Sequence, residues 1–240
     1  APLTGCGFPR TNDQLRAAAS PAPARGDLRV MSFNVRVKTL FDVLNGWGSR
    51  REGVVRAVRD FDPDVLGTQE VLASQLDDLK RAMPEFRVVG VGRSDGRSDG
   101  EMCAIFYRAD RFEKVDEGHF WLSRTPEEPG STSWGAIWSR MTTWLKLRPR
   151  DGGDEFYVFN SHFAVASGRA RENGARLLRQ RIHDIAGQSP TILTGDFNTD
   201  ERSNTYQTLV RGTTRTGPFI DTYRAIYPTP YAYEATRHGF

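Results

Sequence analysis

The chain has 240 residues and a mass of 27.0 kDa, with 33 basic and 30 acidic residues and a mean hydropathy of −0.54. A chain of that size buries roughly 70–75% of its unfolded surface, so it stays folded without disulfides or a structural metal. Cys6 and Cys103 are its two cysteines, which excludes a disulfide scaffold and a Cys-rich zinc site, and no apolar run approaches the ~20 residues of a membrane helix. Four of the basic residues are Lys and the rest Arg. Arg matches phosphate oxygens bidentately, but the same bias arises from a GC-rich genome, so a net charge of +3 selects no partner.

Residues 7–27 are rich in Ala, Pro, Arg and Gly and hold too few apolar groups to offset the entropy of ordering them, so 1–27 reads as a tether. Ahead of it, Leu3-Thr4-Gly5-Cys6 resembles a bacterial lipobox, in which the Cys is lipidated after signal-peptide cleavage. On that reading the protein is exported and lipid-anchored at Cys6; the alternative is an ordinary surface Cys on a cytoplasmic protein.

From residue 28 strand and helix signals alternate in a single domain, 28–240. Leu28–Val35 has the length and branching of a buried strand, and Ser49 opens a helix to about Phe61 that Pro63 stops. Asp64–Glu70 is the next strand, and Leu76, Leu79 and Met83 mark a short helix. Strands follow over Phe86–Val91, Met102–Tyr107, Glu113–Leu122, Ile137–Leu147 and Glu155–His162. A helix at 169–186 carries Ala175, Leu178, Ile182 and Ile185 near the 3.6-residue period, and Pro190–Thr194 runs as a strand into Gly195-Asp196-Phe197-Asn198. Strands outnumber helices and several are joined as hairpins, which predicts mixed sheets packed together with helices outside.

Four strands end in polar residues: Asn34, Glu70, His162, and Asp196 with Asn198. If the sheets bring these ends to one rim, they form an oxygen-rich set suited to Mg²⁺ or Mn²⁺. Each residue also has a plainer reading. Asn34 suits a strand-end turn, Glu70 a helix cap, Asp196 and Asn198 an Asx-turn, and His162 a satisfied core histidine.

The surrounding residues are more specific. Met-Ser-Phe-Asn-Val-Arg (31–36), Pro-Asp-Val-Leu-Gly-Thr-Gln-Glu (63–70), Phe-Asn-Ser-His-Phe (159–163) and Leu-Thr-Gly-Asp-Phe-Asn (193–198) occur in that order. This pattern resembles the endonuclease/exonuclease/phosphatase superfamily, which spans deoxyribonucleases, apurinic endonucleases, deadenylases, inositol-phosphate phosphatases and sphingomyelinases. Gly-Val-Gly-Arg-Ser-Asp-Gly (90–96) and Phe-Trp-Leu-Ser-Arg-Thr-Pro (120–126) resemble a bacterial branch of it. The resemblance implies an α/β four-layer sandwich, two mixed β-sheets face to face with helices on the outer faces. It also implies a divalent-metal-dependent hydrolase of phosphoester bonds, acting by in-line attack of water. By the family pattern Glu70, with Asn34, holds Mg²⁺ or Mn²⁺; Asp196 and Asn198 orient the attacking water; and His162 donates to the phosphoryl oxygens. Arg108, Arg140 and Arg171 are candidate phosphate contacts. The implied partner is a phosphate ester, nucleic acid among the candidates, and a monomer is expected. A phospholipid is an alternative substrate, with Trp134 and Trp138 flanking a loop that would meet it, and a non-catalytic phosphate- or surface-binding module is an alternative function.

Two departures qualify the resemblance. Many relatives read Asn-Thr-His-Leu-Asp-His where this chain has Asn160-Ser161-His162-Phe163-Ala164-Val165, so the Asp and second His are absent. The family also ends in an Asp-bearing strand and a Ser-Asp-His assigned to the general base. This sequence stops at Thr236-Arg237-His238-Gly239-Phe240 before either, and His238 does not fill that role. The expectation is therefore a C-terminally incomplete domain.

Overall fold

In a computed structural model the described residues are 27–212, 217–230 and 236; Cys6, most of the tether and His238 lie outside them. β1 (Val30–Asn34) runs parallel to β2 (Val65–Gln69), with Asn34 opposite Gln69. Parallel neighbours need a crossover, and helix α1 (Trp47–Phe61) lies within it, after a 3-10 turn at Leu40–Asn45. Helix α2 (Ala73–Ala82) follows, then β3 (Phe86–Val89) and β4 (Ile105–Arg108), giving a mixed sheet in the order β1-β2-β4-β3.

The second sheet holds β5 (Phe112–Trp121), β6 (Met141–Pro149), β7 (Phe156–His162) and β8 (Thr191–Asp196), side by side in that order. The first three pair antiparallel, while β7 and β8 pair parallel across helix α3 (Gly168–Ala186). Short helices α4 (Asn204–Arg211) and α5 (Thr222–Ile226) complete the described elements.

Apolar residues sort into layers. Val65, Ile105, Leu145, Leu147 and Val158 meet between the sheets. Val54, Val55 and Val58 of α1 and Leu79 of α2 cover the outer face of the first sheet, against Leu66 and Phe106. Ala175, Leu178 and Ile182 of α3 cover the second, against Phe120, Phe159 and Phe163. Each such side chain contributes about 1.5–3 kcal/mol by leaving water. The outcome is the expected four-layer sandwich. No described helix is long and apolar enough to cross a membrane.

Element ends depart from the sequence reading where tertiary contacts intervene. Helix α1 begins at Trp47 rather than at Ser49, because Trp47 is buried and its Nε1 donates to Asp78 Oδ2 on α2 at 2.8 Å. Met102 belongs to no strand and makes an isolated bridge with Val71. α3 keeps a conventional start, with the Ser167 hydroxyl accepting from Ala170 N at 3.1 Å.

Candidate active site

Parallel pairing sends β1 and β2 out at one end of the first sheet, and β7 and β8 out at one end of the second. Face-to-face packing superposes the two ends, and the edge strands β1 and β8 are tied together by Gly195 N donating to Ser32 Oγ at 3.1 Å. Asn34, Glu70, His162, Asp196 and Asn198 therefore converge on one rim.

Asn34 sits at the centre. Its Nδ2 donates to Glu70 Oε1 and to Asp196 Oδ2, each at 2.9 Å, and its Oδ1 accepts from Arg36 N at 2.9 Å. Asn34 thus serves as a strand-end turn residue and also joins the two carboxylates. Glu70 caps no helix: its Oε2 accepts from Val37 N at 2.9 Å. Asp196 makes the expected Asx-turn, Oδ1 accepting from Asn198 N at 3.0 Å. Asn198 Nδ2 donates to Phe163 O at 3.1 Å and lies 3.0 Å from His162 Nε2. The Phe163 carbonyl fixes the orientation of the amide, so Nε2 accepts and the ring proton resides on Nδ1.

The backbone is held in an uncommon state there. Glu70 and Asn198 have φ of 62° and 48°, the left-handed region that non-glycine residues rarely occupy. Such positions cost of order 1–3 kcal/mol and persist where surrounding structure enforces them, often at functional sites. Part of the enforcement is Gln75, a buried residue absent from the sequence expectations. Its Oε1 accepts from Lys38 N at 2.9 Å and its Nε2 donates to Arg36 O at 3.1 Å, which fastens the loop whose Val37 N–H holds Glu70.

His162 is buried, and desolvation, reinforced by the nearby Arg140 charge, pulls its pKa down to about 4. The ring is neutral at neutral pH, so it can offer a hydrogen bond but no positive charge. The permanent charges are Arg140, buried just before β6, and Arg93, whose Nη1 pairs with Glu101 Oε2 at 2.7 Å. Arg93 and Glu101 escaped sequence reasoning, although Arg93 lies inside the 90–96 stretch already singled out.

The three candidate phosphate contacts separate. Arg140 lines the cavity shared with His162. Arg108 does not join the site: β4 runs antiparallel to β2 with Tyr107 opposite Val65, so Arg108 lies beside Asp64 beyond the far end of β2, roughly 20 Å along the strand from Glu70. There it pairs with Asp62 and stacks on the Phe86 ring. Arg171 is committed to the loop behind His162, Nη1 donating to Ala164 O at 3.0 Å and Val165 O at 2.6 Å, which makes it a brace. Of the two loop tryptophans, Trp138 is exposed beside Arg140, while the Trp134 carbonyl accepts from Ser167 Oγ.

The donor set suits a hard divalent cation. Two carboxylates, Glu70 and Asp196, share a single amide group, and Asp196 remains 32% exposed at its side chain. Among the described residues no cluster of three His, Cys, Asp or Glu side chains forms a metal shell. Mg²⁺ is commonly held through one or two carboxylates and completes its octahedron with water, so two are enough. Zinc, which favours several nitrogen or sulfur ligands, fits this set poorly.

Comparison with known proteins identifies the family and the fold. A model of the Endonuclease/Exonuclease/phosphatase family matches residues 31–239. A Bacteroides vulgatus endonuclease/exonuclease/phosphatase structure is 37% identical, with 76% of this chain and 70% of that one covered and a TM-score of 0.74. A mannosyl-6-phosphatase structure from Bacteroides thetaiotaomicron is 39% identical, covering 75% and 69% of the two chains, with a TM-score of 0.73. Drosophila melanogaster Nocturnin is 27% identical over 214 residues, which span 79% of this chain but only 32% of that protein.

Proposed function

Because the chain belongs to the Endonuclease/Exonuclease/phosphatase family, we propose that it is a divalent-metal-dependent hydrolase of phosphoester bonds acting by in-line attack of water. The observation that carries this reading is the Asn34 amide joining Glu70 and Asp196 beside the His162–Asn198 pair. Likeness to the Bacteroides mannosyl-6-phosphatase supports a phosphoester substrate.

Glu70 and Asn34 would hold the cation, with Asp196 at its margin. When bound, Mg²⁺ or Mn²⁺ polarises a phosphoryl oxygen and offsets charge that builds on it. The remaining work falls to the chain. The Asp196 carboxylate, its direction set by Asn198 N–H and the Asn34 amide, accepts a hydrogen bond from water and aligns it with phosphorus. Neutral His162, its ring oriented by the Asn198 amide, stands beside the phosphoryl oxygens, where a fixed donor in a partly dry site is worth a few kcal/mol in the transition state. Burial of His162 keeps that environment fixed before substrate arrives.

The test is hydrolysis of p-nitrophenyl phosphate and bis(p-nitrophenyl) phosphate with Mg²⁺, Mn²⁺ or chelator, using the wild type and Asp196→Asn. Metal-stimulated turnover that falls about 10²-fold or more in the variant supports the reading. Phosphate binding without turnover of either ester would favour the binding-module alternative.

A further inference from the structure

The Arg140 side of the site holds a feature that the metal-side residues do not explain. Arg140 is only 6% exposed, and its Nη1 has no hydrogen-bond partner among the described residues. Buried guanidinium N–H groups are nearly always satisfied, so a buried orphan on a residue that lines a cavity marks a place for an acceptor that the described residues do not supply. The local carboxylate is not free for it, since Glu101 is engaged by Arg93. Arg93 is itself fixed, its carbonyl accepting from Trp121 Nε1 at 2.6 Å and Ser139 Oγ at 3.2 Å. Glu101 and Glu70 both act on the Arg140 charge, but no described residue accepts the hydrogen on its Nη1.

The space beside it is small. A cavity of about 10 Å³ has Arg93, Glu101, Arg140 and His162 among its polar lining and Met102, Cys103 and Met141 as its apolar wall. That is room for one oxygen-sized group against the Arg140 wall. The burden on the cavity follows from counting oxygens. Once the leaving oxygen is set aside, an attacked phosphate diester has two unsubstituted oxygens and a monoester has three. The Glu70–Asn34 side can take one and the His162 side another.

We propose that the Arg140 cavity receives the third unsubstituted oxygen of a phosphate monoester, so that the protein prefers monoesters to diesters. This rests on the hydrolase reading above. In the reaction water forms the new P–O bond, the bond to the alcohol oxygen breaks, the alcohol leaves with a proton, and inorganic phosphate remains. A diester would have to push its second alcohol against Arg140 and Cys103 or leave the Arg140 N–H unpartnered.

The experiment compares p-nitrophenyl phosphate with methyl p-nitrophenyl phosphate, which share a leaving group, in the wild type and Arg140→Gln. The expected loss of kcat/KM in the variant is about 100-fold on the monoester, the scale of one oxyanion donor, and at least about tenfold smaller on the diester. Equal losses on the two esters would overturn the proposal. Calorimetry on the wild type with Mg²⁺ needs neither the variant nor turnover. Inorganic phosphate should bind on the order of tenfold more tightly than dimethyl phosphate, because one more charged oxygen gains a guanidinium partner. Equal affinities, or no binding of phosphate, would also overturn it. Tighter phosphate binding by a protein that hydrolyses neither ester would keep the cavity assignment and remove the hydrolase reading instead.

Discussion

Gln69 of β2 donates its Nε2 hydrogen to Asn160 Oδ1 of β7 at 2.7 Å, across the buried space between the two sheets. Asn160 answers with Nδ2, which donates to Thr68 O at 2.8 Å and Ala104 O at 3.0 Å. A buried amide whose groups are satisfied from the opposite sheet fixes how the sheets slide against each other. Glu70 follows Gln69 directly and His162 lies two residues beyond Asn160, so this one lock sets the metal-side carboxylate against the histidine.

Replacing Asn160 with Ala should therefore cost stability and activity together. Gln69 and two strand carbonyls would lose buried partners, with an expected loss of about 2–4 kcal/mol. Urea unfolding of Asn160→Ala measures it; a change under about 1 kcal/mol would show that the sheets hold register without this contact.

Gly67 tests the same space from the steric side. A Cβ there would fall 2.3 Å from Thr194 Oγ1 and 2.9 Å from Asn160 Oδ1. Gly67→Ala should destabilise by about 1–3 kcal/mol through overpacking. Adding Thr194→Ala removes the nearer clashing atom, so the double variant should be more stable than the sum of the single effects predicts. Strict additivity in that cycle would count against the contact.

Glu70→Gln separates function from folding. The variant keeps the shape of the side chain and removes its charge, so metal-stimulated hydrolysis should fall by at least about 10²-fold. Thermal melting in chelator should fall only slightly, because the eased repulsion between the two carboxylates offsets the one acceptor that Gln lacks toward Asn34 or Val37. Retained activity would remove Glu70 from the metal site.

His119 supplies a pH dependence away from the site. It lies largely buried on β5 with Nδ1 3.2 Å from Thr143 Oγ1, and desolvation holds its pKa below the ordinary 6.5. The unfolded chain binds a proton there more readily than the folded one. The contribution of this group is therefore complete above about pH 6.5 and is lost as pH falls below it. Unfolding free energies at about pH 7.5 and pH 5 should drop less in His119→Gln than in the wild type. Equal drops would mean that the ring takes up its proton freely in the folded state.

Elements built on short-range signals were legible in the sequence. The apolar runs that became β1, β2 and β7, and the periodic face of α3, needed only the spacing of their side chains. The 3-10 turn at Leu40–Asn45 and helices α4 and α5 were not, since they are short and lack a long periodic apolar face. The beginning of α1 was set by Trp47 reaching Asp78, a contact 31 residues away in the chain.

The site divides along the same physical line. The sequence by itself determined which chemistry was on offer, because Asn34, Glu70, His162, Asp196 and Asn198 each close an apolar run in local patterns that resemble a known family. Which side chains meet was decided only by the tertiary structure. Strand direction put Arg108 at the wrong end of its sheet, the loop after β7 claimed Arg171, and packing between β6 and the 92–101 loop left Arg140 buried beside His162 with an N–H that no described residue accepts. Charge and residue type are properties of one position, but a cavity belongs to several strands at once, and its polarity is fixed only when they pack.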